Sequence, residues 1–168
     1  MKTIFILVSI VLVGFVPSVL ALTAAECKQE GSVDALQLFP VGKVQKYSGT
    51  TTIEIYKEYA DALLGLNQFS HLVVLYWFDK NDTPEKRKTL RVHPRNNISN
   101  PLTGVFATRS PRRPNLIGLS VCKILSVKNN VIRIDSIDAF DGTPVLDLKP
   151  YVPRMDEVHD ASGPKWAK

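Results

Sequence analysis

The sequence predicts a mainly β domain, a small antiparallel barrel with one short helix behind an apolar leader. Two observations carry that prediction. Between residues 36 and 153, short apolar or alternating runs recur, each bounded by Gly, Pro, Asn or Asp. Only one segment in that stretch has helical spacing. Short strands almost without helix make a barrel or sandwich, and closing the sheet also removes exposed edges.

Leu36–Lys46 alternates as a strand does and runs into a turn at Ser48-Gly49. Thr50–Tyr56, rich in β-branched residues, is the second strand and is expected to pair with the first as a hairpin. Glu58–Leu64 is the helix candidate, with Tyr59, Ala62 and Leu63 at helical spacing and Gly65 as its stop. His71–Phe78 is a continuous apolar run, expected of a strand buried on both faces or covered by a second chain. Asn81–Lys88 reads as a polar loop around Pro84, Thr89–His93 alternates again, and Pro94–Pro101 is a loop. Leu102–Thr108, Ile117–Leu125, Val131–Ile137 and Pro144–Leu148 complete the strands. Residues 154–168 have the composition of a loosely ordered tail.

The amino terminus has a different character. Lys2 precedes an uncharged stretch, Thr3–Ala25, most apolar between Ile4 and Val16, and Val19-Leu20-Ala21 offers a peptidase site. Residues 1–25 therefore read as a secretory signal, followed by a leader over 26–35. The expected location is outside the cytoplasm, periplasmic or secreted. The stretch is also long enough for an uncleaved membrane anchor carrying a cytoplasmic domain, which is the alternative. Without residues 1–25 the chain keeps 20 basic and 16 acidic residues, a net charge of +4. Cys27 and Cys122 lack any spacing that argues for a disulfide, and none is expected.

Gly104–Ser120, GVFATRSPRRPNLIGLS, holds the strongest functional signal. Arg109, Arg112 and Arg113 sit among Pro111, Pro114, Gly104 and Gly118, so the segment is a rigid basic loop between strands rather than a helix. From Lys86 to Ile134 there are eleven Lys or Arg and no Asp or Glu, a field suited to an anionic partner. His71, His93 and His159 have no metal-ligand spacing, and no metal is expected. Neither a Gly-rich phosphate loop before a helix nor a nucleophile elbow is present.

This loop, together with DAFDGTPVLDLKPY at Asp138–Tyr151 and LLGLNQFSHLVVLYWF at Leu63–Phe78, resembles the TsaA-like, TrmO-type methyltransferases. The resemblance implies a compact, usually dimeric β-barrel. It also implies S-adenosylmethionine as methyl donor and, as acceptor, threonylcarbamoyladenosine in the tRNA anticodon loop. The chain departs from the family at the tight turn Tyr47–Thr50, where relatives carry a longer loop, and at Leu116, where relatives often have proline.

By that resemblance Arg109, in the ATRS string, belongs to the donor pocket, with its guanidinium expected to be pinned there by the proline-rich loop. Leu119, Asp79 and Lys80 are implied donor contacts. Asp135, Ser136, Ile137 and Asp138 precede the DGTP string, where the donor's ribose or adenine is held. Asp138 is the candidate catalytic residue, as a base on the acceptor nitrogen. Arg112 and Arg113 are the candidate RNA phosphate contacts. The alternative reading, from the leader, is an exported barrel that binds an anionic ligand without catalysis.

Overall fold

A computed structural model describes residues 36–167. The signal or anchor and the leader expected over residues 1–35 lie outside the described residues. The described residues contain eight strands: β1 (Gly42–Tyr47), β2 (Thr50–Ile55), β3 (His71–Trp77), β4 (Arg91–Val92), β5 (Thr103–Gly104), β6 (Ile117–Lys128), β7 (Val131–Ile134) and β8 (Pro144–Pro150). Six of them close an antiparallel barrel in the order β1-β2-β7-β6-β3-β8, while β4 and β5 form a separate small ribbon. The expected barrel is therefore the observed one.

The β1–β2 hairpin pairs Tyr47 with Thr50 across Ser48 and Gly49, whose φ values of 48° and 76° are those of a type I′ turn. Alternation then sets the interior. Val44, Ile53, Leu72, Val74, Cys122, Ile132 and Val145 are all fully buried, each at an inward position of its strand. The Cys122 thiol is pushed up to about 11, chiefly by burial and secondarily by the nearby Asp135 carboxylate. It is a packing residue, inert as a nucleophile at neutral pH.

Several expectations are corrected by local chemistry. β1 starts at Gly42 rather than Leu36; residues 36–41 contain Pro40, which lacks a ladder donor. The expected helix is a 3-10 helix, Lys57–Leu63, without a side-chain cap, and Gly65 follows with φ 84°. The loop Asn81–Lys88 contains one turn of α-helix, α1 (Pro84–Arg87), because Thr83 accepts from the Lys86 amide at 3.3 Å and Pro84 occupies the first turn. The strand expected over Leu102–Thr108 shrinks to β5 and continues as a 3-10 turn, Val105–Ala107. His71–Trp77 is not buried on both faces: Leu72, Val74 and Tyr76 point inward, while Val73, Leu75 and Trp77 are half-buried outside.

One topological detail positions the site. β6 pairs with β3 from Ile117 to Lys123, but its pairing with β7 begins only at Ile124. The first seven residues of β6 therefore present an edge with no strand neighbour among the described residues.

Candidate functional site

Hydrogen bonding fixes which main-chain groups face that edge. The Ile124 amide donates to Ser70 O on the β3 side, whereas the Lys123 amide donates to Asp135 Oδ1 on the other. Main-chain groups alternate direction along an antiparallel strand, so those of Leu119 and Val121 face the open edge with Lys123. Beside this edge lies a cavity of about 640 Å³. Its lining includes the consecutive residues Ile117–Val121, together with Tyr76–Asn81, Arg109, Arg113, Asp138 and Phe140.

Tyr76 is the floor of this cavity. It pairs with Gly118 across the strands, and a Cβ at Gly118 would run into the Tyr76 ring. The phenol hydroxyl donates to Asp138 O at 2.9 Å and lies 3.3 Å from Ser120 Oγ, while the ring meets Phe78 edge-on at 5.4 Å. Burial pushes the phenol above its usual value, opposed by the Ser120 hydrogen bond, so Tyr76 is a hydrogen-bond donor and not a base. Through it the barrel wall holds the backbone at Asp138.

A second cavity, of about 880 Å³, is lined by the basic loop as well. Asn81, Thr108, Arg109, Pro111 and Asp138 line both cavities, so Arg109 and Asp138 stand at their junction. The loop is anchored at its ends by Val105 and Leu116, both fully or nearly fully buried, and the Leu116 carbonyl accepts from the Phe78 amide at 2.8 Å. The leucine that departs from the family pattern is thus the loop's apolar peg.

A polar network braces the same loop. Arg87 Nε donates to Asp82 Oδ1 at 2.7 Å, Arg87 Nη1 reaches Pro114 O at 3.1 Å, and the guanidinium lies 5.2 Å from the Trp77 ring centre. Trp77 Nε1 donates to Asp82 Oδ2 at 3.0 Å. These bonds, led by that from Arg87, hold the Asp82 carboxyl below the usual range. A depressed folded value means that the contribution is present above the unfolded pKa, about 4, and is lost as pH falls through the folded value. We expect Trp77 fluorescence, read in a Trp166→Phe background, to shift in acid below about pH 4 and to lose that step in Asp82→Asn. Coincident titrations would remove the brace.

The sequence-predicted residues divide clearly. Asp79, Lys80, Arg109, Leu119, Asp138 and Arg113 line the first cavity, and Arg112 lines the second. Asp135, Ser136 and Ile137 line neither. Asp135 spends its carboxylate on the Lys123 amide at 2.8 Å, Ile137 is buried in the core, and its carbonyl accepts from Lys46 Nζ at 2.9 Å. The loop does not pin Arg109: the residue is exposed, with no hydrogen bond or ion pair among the described residues. Arg113 instead ties the loop to itself, donating to Thr108 O at 3.3 Å. Asp79 and Lys80 face each other as an ion pair at 3.4 Å. Sequence reasoning missed Tyr76, Gly118, Phe140 and the Arg87–Asp82–Trp77 brace. A glycine inside a strand pattern was the one available signal, since it marks close approach of another group.

Residues 37–157 match the family model of the tRNA-methyltransferase O N-terminal domain. A protein of Methanocaldococcus jannaschii named "Probable S-adenosyl-L-methionine-binding protein" is 48% identical over 119 residues, covering 71% of this chain and 94% of the relative. The human tRNA (adenine(37)-N6)-methyltransferase is 41% identical over 110 residues, covering 66% of this chain but 24% of that enzyme. The crystal structure of TrmO from Pseudomonas aeruginosa superposes with a TM-score of 0.61 at 32% identity, covering 76% of this chain and 61% of that one. The chain thus spans less than two thirds of the solved TrmO chain.

Proposed function

Because the chain belongs to the family of the tRNA-methyltransferase O N-terminal domain, we propose that it is an S-adenosylmethionine-dependent methyltransferase acting on an adenine nitrogen in tRNA. The observation that carries this reading is the junction at Arg109 and Asp138, which joins one cavity fit for the donor to another open to an acceptor.

The first cavity suits the donor in size and in chemistry. Its volume lies within the range of small-molecule sites. The Asp79 and Asp138 carboxylates match ribose hydroxyls or an ammonium, and Arg109 matches a carboxylate. Phe78 and Phe140 offer apolar faces, and the open edge at Leu119 and Val121 offers main-chain donors and acceptors to a purine. When bound, the donor supplies a methyl group on a sulfonium. Transfer forms a carbon–nitrogen bond as the carbon–sulfur bond breaks, and the nitrogen must shed one proton. The Asp138 carboxylate takes that proton, and Tyr76 holds its backbone in position.

Donor binding is the decisive test. Calorimetry on the full chain should give a heat with S-adenosylmethionine, and Arg109→Lys, which keeps charge but loses the planar fork, should weaken it at least tenfold, about 1.4 kcal/mol. No heat from the wild type would favour the alternative, a barrel binding some other anion without catalysis. Unchanged affinity in the variant would make Arg109 a loop residue only.

The same reading includes a homodimer. On the outer face Val73, Leu75 and Trp77 pair with Val121, Leu119 and Ile117, and the last three are 50%, 42% and 38% exposed. A second copy on this apolar strip would cover it and border the donor cavity. Light scattering at high micromolar concentration should give twice the chain mass, and Val121→Glu should halve it; a single-chain mass for the wild type would exclude the dimer. Export by the leader belongs to the same proposal, and the intact mass of the mature protein separates a cleaved leader from a retained one.

A further inference from the structure

The second cavity contains features that donor binding does not use. Val105 packs inward, and the 3-10 turn that it begins leaves Phe106, its neighbour, 80% exposed at the cavity wall. Trp166, in the 3-10 turn Lys165–Ala167, lines the same cavity from the carboxy-terminal tail. The two rings make no contact with each other among the described residues, and both line this cavity. His93 also lines this cavity. Its Nδ1 lies 2.8 Å from Asn100 O, and a carbonyl can only accept, so Nδ1 carries the hydrogen and Nε2 is the acceptor left in the neutral ring. Arg112, an exposed residue, also lines it.

We infer that this cavity is a nucleobase pocket: Phe106 and Trp166 stack on a base swung out of a single-stranded RNA loop, and Arg112 meets a flanking phosphate. The inference rests on the methyl-transfer reading, because Asp138 then lies where the base's exocyclic nitrogen would meet the donor. Three observations favour RNA as occupant. An exposed aromatic residue in a pocket that also holds a cation is a usual platform for an unstacked base. The pocket adjoins a stretch of 49 residues, Lys86–Ile134, without a carboxylate. Chemistry on a base also requires that the base leave its stack, and the adjoining cavity, which shares Arg109 and Asp138 with the first, offers a place to receive it. In this account the tail is part of the substrate site, not a loose extension.

The test uses the full chain and two probes: an anticodon stem-loop RNA with adenine following the anticodon, and the same RNA abasic at that position. Phe106→Ala and Trp166→Ala should each weaken binding of the intact RNA by roughly five- to a hundredfold, without changing the salt slope. The abasic RNA should bind the wild type as weakly as the intact RNA binds the variants, and the variants should lose little more on it. Arg112→Ala should instead flatten the salt slope by about one unit for both probes. Both aromatic residues lie at the surface, so the variants should fold, and donor binding should be retained in each.

Equal affinity of the wild type for the two probes would overturn the pocket, as would unchanged RNA binding in both aromatic variants. Tighter RNA binding in Trp166→Ala would make the tail a plug and overturn the clamp. If the wild type binds S-adenosylmethionine but no RNA, the pocket falls and the donor reading stands; if it binds neither, both fall.

Discussion

Replacing Asp138 by Asn should lower the methylation rate by about two orders of magnitude or more while leaving donor affinity within a few-fold of the wild type. The side chain keeps its shape and its hydrogen-bonding reach but can no longer accept a proton. Asp138 lines both cavities, and its backbone is fixed by the Tyr76 hydroxyl at 2.9 Å, so the substitution leaves its position undisturbed. Single-turnover kinetics with saturating donor separate the two roles available to this carboxylate. A fall in rate at constant donor affinity identifies a base. A fall in affinity at constant rate identifies a group that binds the donor's ribose, and the proton must then leave by another route.

The barrel was legible because its signal is local: β-branched alternation, a Ser-Gly turn and apolar runs bounded by turn residues determine strands one at a time. Closure was legible only as a preference, since which strands meet is decided by pairings such as Gly42 with Val145, far apart in the chain. The errors have a common physical cause. Glu58–Leu64 has helical spacing, but a segment this short lacks a cap and settles as a 3-10 helix. Leu102–Thr108 reads as a strand, yet of its large apolar residues only Val105 is buried while Leu102 and Phe106 are exposed, and the strand stops after Gly104. In both cases the local preference was too weak to hold the expected element.

The candidate site was legible where residue type alone announces it, as with three arginines in a proline-rich loop. It was illegible where meaning depends on a contact. Arg109 and Arg113 look equivalent in sequence, but one stands open at the junction and the other is bonded to Thr108 O. Asp135 and Asp138 are three residues apart, but only one reaches a cavity, because the other caps the Lys123 amide where β6 loses its neighbour. Arg87 reads as one cation in a basic run, yet it lies over Trp77 and bridges Asp82 to the loop. Part of the positive field counted along the chain is therefore spent inside the protein and is unavailable to RNA.

Gly118→Ala should have a large structural effect for its size. The added Cβ would occupy the space of the Tyr76 ring. That ring cannot swing away freely, since its hydroxyl is bonded to Asp138 O and its edge packs on Phe78. Overpacking at such a position costs about 1–3 kcal/mol, and losing the phenol's hydrogen bond adds about 1 kcal/mol. Displacement of the ring would also shift Asp138 and close the cavity along β6, so donor binding should be lost together with stability. Urea unfolding should show a lower midpoint with an unchanged slope, and calorimetry should show no donor heat. A double-mutant cycle isolates the cause. Tyr76→Ala removes the obstacle, so adding Gly118→Ala to it should cost far less stability than Gly118→Ala costs alone, a coupling of more than about 1 kcal/mol between the two positions. Additive effects would mean that the glycine is needed for its backbone and not for the ring. A wild-type midpoint and wild-type donor affinity in Gly118→Ala would mean that the ring is free to move, and Tyr76 could then no longer be what holds Asp138 at the junction of the two cavities.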